Sequence, residues 1–324
     1  MIDWSPMVKL IHDHQRFLLM THIKPDCDAL GSEIGLAEVL RHLGKTVRIV
    51  IVGPWQNRYD FLDPEREIQT FKAANPDFRQ TDAVIIVDTG TWNQIGDFGS
   101  FLRELPVAKA VIDHHRTQDD LGGIQCIDVQ AEATGRLIAE LADVLNVPLT
   151  PRAATALFTA LATDTGWFRH PNTTPETFAL AEKFVRLGAI PNRLYEYLYD
   201  QNTLPRLRLI GLILERLQVV ADGKIGYTEV YLKDFVATGA DANDTGDLVN
   251  YPRSVAGVEI AAFFTEQSNG CVRISLRSRD GYDVGQVAES LGGGGHRLAA
   301  GCSVQGSMAD ARTKVFQLLL PLVG

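Results

Sequence analysis

Residues 111–117 read VIDHHRT and set three ionisable or metal-binding side chains, Asp113, His114 and His115, directly after the apolar run Ala110–Ile112. Such heads are costly to bury without partners, so the partners must come from elsewhere in the chain. Three further clusters offer them: His22, Asp26 and Asp28 in THIKPDCDALGS, Asp88 in AVIIVDTG, and Asp164 in ALATDTGWF. One carboxylate at a strand end is as well explained by a turn or a helix cap, and Asp28 before ALGS fits a cap of its own helix. Four clusters together are not dismissed that way. Asp26, Asp28, Asp88 and Asp164 carry four negative charges, and crowding them without cations would force protonation. Two divalent ions would balance that charge, with His22 and His114 as neutral nitrogen ligands. Carboxylate and imidazole without thiolate suit Mn²⁺, with Mg²⁺, Fe²⁺, Co²⁺ and Zn²⁺ as competitors. Such a pair of ions is the usual clamp for in-line attack of hydroxide on phosphorus.

The elements that must position these groups alternate. Phe17–Thr21, Val47–Val52, Ala83–Val87 and Ala108–Ile112 read as buried strands, and Leu30–Leu43 has apolar residues at helical spacing with Gly44 as a stop. The alternation predicts a parallel sheet with helices on both faces. Ligands of such sheets gather beyond the C-terminal strand ends, and three of the four clusters fall there. Helices are expected at Ala133–Leu145, Pro151–Ala162 and Pro175–Leu187, with Asp164 just beyond the second. The character changes through GAIPNR, YEYLYDQ and NTLP, which divides the chain into a catalytic domain over 1–187, a linker over 188–205 and a smaller α/β domain over 206–324. In that last domain Pro205–Leu217, Val284–Leu291 and Ala309–Leu320 read as helices, and Lys224–Tyr231, Val258–Phe264 and Cys271–Ser278 as strands.

Composition narrows the function classes. The 324 residues carry a net charge of −9, without the basic footprint by which proteins grip long nucleic acid. Four scattered cysteines, with no CxxC pair, suit a reducing compartment. The first residues lack the apolar stretch of a signal peptide, and no run reaches the roughly 20 apolar residues of a membrane span. The expectation is a cytoplasmic protein that binds neither membrane nor long nucleic acid.

The segments THIKPDCDALGS, VDT, DHH and ATDTGWF, in this order and spacing, resemble the four motifs of the DHH phosphoesterase superfamily, and GGGGHRLAAG resembles the signature of its companion DHHA1 domain. Length and arrangement are similar to the group of bifunctional oligoribonucleases and adenosine 3′,5′-bisphosphate phosphatases. The resemblance implies one metal held by His22, Asp26 and Asp88 and another by Asp28, Asp88, His114 and Asp164, with Asp88 bridging. Asp113 would orient its neighbours, and His115 would face the substrate phosphate and assist protonation of the leaving group. Cys27, between two ligands, is expected to point away. The implied activity is two-metal hydrolysis of very short oligoribonucleotides to 5′-mononucleotides, with 3′-dephosphorylation of adenosine 3′,5′-bisphosphate as a second activity. The alternatives are a phosphodiesterase for cyclic dinucleotides or pGpG and, in a different class, a nucleotide sensor without catalysis. The implied partners are short RNA and small nucleotides, and a homodimer is left open.

The C-terminal domain is expected to read substrate across an interdomain cleft. In CVRISLRSRD, Val272, Ile274 and Leu276 should face one side and Arg273, Ser275 and Arg277 the other. Arg277 and Ser278 beside the next loop, and Arg253 in NYPRS, are candidates to hold phosphate, since guanidinium geometry fits it. Gly293, Gly294 and Gly295 would let backbone N–H groups approach an anion, and His296 would add a proton donor.

Overall fold

Residues 2–279 and 281–324 are described by a computed structural model, and the side chains of Pro76 and His296 fall outside that description. The first half builds one six-stranded sheet. Helix α1 (Ser5–Asp13) leads into strand β1 (Arg16–Met20), helix α2 (Cys27–His42), strands β2 (Thr46–Ile51), β3 (Gln69–Thr70) and β4 (Ala83–Val87), helix α3 (Phe98–Glu104), and strands β5 (Ala108–Asp113) and β6 (Ile124–Ile127). Every pairing is parallel and the strand order is β3-β2-β1-β4-β5-β6. β4 is buried at all five positions, as a central parallel strand must be when helices cover both faces.

The two faces follow the strand period of two. Leu19, Ile85 and Ile112 pack with Leu30 and Ile34 of α2, while Met20, Ile86 and Val111 pack with Phe98, Phe101 and Leu102 of α3. The order reverses between β1 and β4, where the chain has gone outward to β3 and returned. That reversal opens a crevice beyond the C-terminal strand ends.

Helices α4 (Thr134–Val144), α5 (Pro151–Asp164), α6 (Pro175–Arg186) and α7 (Pro191–Tyr199) complete the first compact unit, which ends at Gln201. α2 lies unusually close to α5. A Cβ at Gly31 would stand 2.4 Å from the Ala156 carbonyl oxygen, so only glycine permits this approach. It brings Asp28 on α2 towards Asp164 at the end of α5. The stretch 188–205, read from sequence as a connection, contains α7, whose Leu194 is buried in the N-terminal core and whose Tyr197 stacks on Phe61 at 5.0 Å. The narrow apolar stripe among tyrosines and polar residues concealed it.

The second unit starts at Asn202. It contains α8 (Leu204–Glu215), β7 (Gln218–Val220), β8 (Ile225–Val230), α9 (Leu232–Thr238), α10 (Asn250–Arg253), β9 (Ile260–Glu266), β10 (Cys271–Ser278), α11 (Val284–Ser290), β11 (Gly294–His296), β12 (Ala299–Gln305) and α12 (Met308–Val323). Its sheet runs β11-β12-β10-β9-β8-β7, with only β8 and β9 parallel. Val272, Ile274 and Leu276 are buried and Arg273 is exposed, as the alternation demands. Where sequence suggested a glycine loop, β11 and β12 form an antiparallel pair with Gly295 opposite Ala300. The two glycines of β11 have no side chains to alternate, whereas β12 does alternate, with Ala300, Cys302 and Val304 buried. Among the described residues no helix is long and apolar enough to cross a membrane.

Candidate metal centre

The loop after β1 ends on Asp26, which caps α2: its Oδ1 accepts the N–H groups of Asp28 at 3.0 Å and Ala29 at 3.1 Å. Asp28 therefore does not cap its own helix. It is 2% exposed and reaches across to α4, accepting the N–H of Thr134 at 2.7 Å and of Gly135 at 2.9 Å. The residue before α4, Ala133, has no side chain able to cap, and Asp28 fills that role from another helix. Those bonded N–H groups also place the positive end of α4 against the carboxylate.

Asp88, the first residue past β4, is 3% exposed and sits in the left-handed region at φ 59°. A non-glycine residue pays strain there, as residues at functional sites often do. Its Oδ1 accepts the Thr134 hydroxyl at 3.0 Å. Its two oxygens look to different partners: Oδ2 lies 3.6 Å from His22 Nε2, and Oδ1 lies 3.6 Å from His114 Nε2. His114 Nε2 is also 3.7 Å from Asp28 Oδ2 and 3.7 Å from Asp164 Oδ2. His114 Nδ1 donates to the Ala131 carbonyl at 3.0 Å. A carbonyl only accepts, so Nδ1 carries a proton, and in the neutral ring it is the Nε2 lone pair that faces the carboxylates.

These separations are longer than hydrogen bonds, yet the donor atoms converge. His22, Asp26 and Asp88 form one group with ligating atoms within 4.8 Å of one another, and Asp28, His114 and Asp164 form another. Asp88, His114 and His115 satisfy the same criterion. Nitrogen and carboxylate donors without a thiolate fit a divalent cation of the Mn²⁺, Mg²⁺ or Zn²⁺ kind. Cys27 is absent from these groups and is buried in the core.

The electrostatics are those of a site short of positive charge. Burial, then Asp28 and the neighbouring aspartates, push the Asp88 carboxyl far above its ordinary range. Burial also raises Asp28, against the pull of His114. Burial and Asp28 push Asp164 up to about 7. Burial lowers His22, favouring the neutral imidazole that a metal requires.

Asp113, fully buried at the end of β5, has the opposite surroundings. Its Oδ1 accepts His115 Nδ1 at 2.7 Å and the backbone N–H of His114 at 2.8 Å. Burial pushes its carboxyl up, but the hydrogen bond and charge of His115, with the Gln118 amide, outweigh it and hold Asp113 below the usual range. His115 is raised in turn, chiefly by its hydrogen bond to Asp113. With Nδ1 engaged, Nε2 is the ring atom left for another ligand.

Comparison with known proteins follows this geometry closely. Residues 16–161 match the DHH family, N-terminal domain, and residues 223–320 match the DHHA1 domain. The bifunctional oligoribonuclease and PAP phosphatase NrnA of Thermus thermophilus is 32% identical over 294 residues, which span 90% of this chain and 85% of that one. The chain belongs to the DHH family. Its fold is shared by an exopolyphosphatase-related protein from Bacteroides fragilis, at a TM-score of 0.91 and 23% identity, covering 97% of this chain and 94% of that one. RecJ from Thermus thermophilus, solved in complex with Mn²⁺, matches at a TM-score of 0.52 and 17% identity, covering 96% of this chain and 53% of its own.

In the DHHA1 part, Arg277 is half-buried. Burial lowers its pKa, Asp247 draws it up and Arg253 pushes it down, so two guanidinium groups and one carboxylate share that neighbourhood. Its Nη1 donates to the Leu276 carbonyl at 2.9 Å. Ser278 is 3% exposed and its hydroxyl donates to the Tyr282 carbonyl at 2.8 Å, so in this structure it holds the turn before α11. Gly294 and Gly295 lie in β11, Gly293 immediately precedes it, and the His296 side chain lies outside the described residues.

Sequence reasoning missed the supports of this DHH site. Thr134 and Gly135 hold Asp28 and Asp88 from α4, Ala131 orients His114, and Gln118 holds Asp113. The only available signal was a helix start, ATG, with no capping side chain of its own.

Proposed function

We propose that this chain is a divalent-metal-dependent phosphoesterase that hydrolyses very short oligoribonucleotides to 5′-mononucleotides and removes the 3′-phosphate of adenosine 3′,5′-bisphosphate. The observation that carries the reading is the convergence of two carboxylate–imidazole groups, His22–Asp26–Asp88 and Asp28–His114–Asp164, with Asp88 Oδ2 3.6 Å from His22 Nε2 and its Oδ1 3.6 Å from His114 Nε2, where the order of a parallel sheet reverses. The name of the Thermus thermophilus relative supports the substrate class. The net charge of −9 supports short substrates over long ones.

His22, Asp26 and Asp88 would hold one cation, and Asp28, Asp88, His114 and Asp164 the other. Mn²⁺ is the preferred ion, in keeping with the donor set and with the Mn²⁺ complex of RecJ. Bound there, the cations supply positive charge against the phosphate and lower the pKa of water. The remaining work falls to the chain. Thr134 and the start of α4 hold Asp28 and Asp88 in place. Ala131 keeps His114 in the tautomer with Nε2 unprotonated. His115, braced by Asp113, presents Nε2 to the phosphate and protonates the departing 3′ oxygen. Arg253 and Arg277, with the backbone N–H groups of Gly293, Gly294 and Gly295 and with His296, bind a phosphate, and Ser278 keeps the adjoining turn in shape.

The test is a product time course with Mn²⁺ on labelled RNAs of graded length, beside adenosine 3′,5′-bisphosphate and pGpG. Dinucleotides should be turned over fastest, giving 5′-mononucleotides, with release of phosphate from the bisphosphate. Equal rates on long RNA, or turnover of pGpG alone, would overturn the substrate assignment.

A further inference from the structure

Gln118 belongs to neither ligand group, yet it sits between the loops after β4 and β5, which carry Asp88 and His114. Its Nε2 donates to Asp113 Oδ2 at 2.6 Å and to the His115 carbonyl at 3.0 Å. Asp113 Oδ1 is meanwhile held by His115 Nδ1 and by two backbone N–H groups. The terminal torsion of an aspartate is broad when left to itself. Bonds to both oxygens from different directions lock its plane, and the locked plane sets the ring of His115.

On its other side the same amide lies against Gly90, in the turn after Asp88. A Cβ at Gly90 would stand 1.6 Å from Gln118 Oε1 and 2.4 Å from its Cδ, so the glycine is what lets the amide in. Asp119 N–H donates to the Gly90 carbonyl at 2.7 Å, which laces the two loops together. The Oε1 of Gln118 is buried and accepts no hydrogen bond from the described residues. An unmet buried carbonyl is destabilising, a penalty an apolar side chain would avoid. The amide is therefore placed for its donor end.

We propose that Gln118 is a positioning residue for hydrolysis: it fixes the plane of Asp113, and through it the ring of His115, so that Nε2 stays aimed at the bound phosphate. The inference rests on the phosphoesterase reading above. It assigns Gln118 no contact with substrate or cation, and its effect passes through His115.

Gln118→Met conserves length and removes the donor. On a diribonucleotide with Mn²⁺ it should lower kcat by about 10–100-fold, as loss of such an orienting partner does, with KM within about threefold. Metal content per chain should equal that of the wild type. In a His115→Ala background the same change should alter kcat by no more than about twofold, because its route of action is already gone. In the metal-free protein, the His115 Nδ1 proton should exchange with solvent about tenfold faster in Gln118→Met than in the wild type. Should Gln118→Met fail to fold, Gln118→Asn keeps an amide but withdraws it by one methylene, and an intermediate loss of kcat is expected. The proposal is overturned if folded variants match the wild type, if the losses from Gln118 and His115 multiply, or if the exchange rate stays unchanged. A wild type inert towards diribonucleotides would instead refute the phosphoesterase reading, and the exchange measurement would still judge the positioning of His115.

Discussion

Asp88 and Asp113 stand at the C-terminal ends of neighbouring parallel strands, both nearly or wholly buried, and their chemistry differs. Asp113 receives N–H donors on both oxygens from His114, His115 and Gln118, and is held ionised. Asp88 receives the Thr134 hydroxyl and otherwise faces imidazoles beyond hydrogen-bond reach and four other aspartates, so burial and like charge suppress its own. Burial is common to both. The charge of the neighbours decides. Asp113 is paired with the His115 imidazole, which helps hold it ionised, whereas Asp88 is crowded by like charge that a cation would balance.

The contrast is broken most severely at Asp88. Asp88→Ala removes the residue proposed to bridge both cations, and turnover of a diribonucleotide should fall on the order of 10³-fold, together with loss of bound metal in elemental analysis. Undiminished turnover would reject the bridging role. Asp113→Asn should cost on the order of 10²-fold in kcat while both cations stay bound. Metal loss in that variant would erase the distinction drawn here. Arg277→Gln should act on binding, raising KM about tenfold for a substrate phosphate with kcat within about threefold. A drop in kcat alone would contradict it.

The smallest expected effect is on stability and sharpens the comparison by pH. Asp164, pushed up to about 7 from 3.8, binds its proton more tightly in the folded chain than in the unfolded one. Stability from this group is therefore fully present below about pH 4 and lost as pH rises towards 7. Metal-free protein should show that decline in denaturant unfolding, and Asp164→Asn should flatten it. An unchanged slope in the variant would show that Asp164 does not carry it. Added Mn²⁺ should oppose the decline, since binding requires the deprotonated ligand.

Much of this was legible in the chain. β4 and β10 have the bounds that apolar patterning suggested, and β1, β2 and β5 differ by a residue. The positions after β1, β4 and β5 followed from the rule for parallel sheets. The α7 helix and strand β11 were hidden, the first because its apolar stripe is narrow, the second because its glycines carry no side-chain period, while the alternation of β12 through Ala300, Cys302 and Val304 was overlooked beside the glycine run. The plain alternative for Asp28, a cap of α2, fails because Asp26 takes that role. The true partners of Asp28, Thr134 and Gly135, are 106 and 107 residues away.

Residue type and local period, which are properties of short segments, sufficed to mark ionisable side chains at the ends of β1, β4 and β5 and to show that four gathered carboxylates need balancing charge. Only the tertiary structure decided how the work is shared among them. The surroundings of each buried aspartate come from side chains and backbone that the fold brings up: α4 donates to Asp28 and Asp88, and His115 and Gln118 donate to Asp113. Hydrogen bonds reach about 3 Å through space, whatever the distance along the chain.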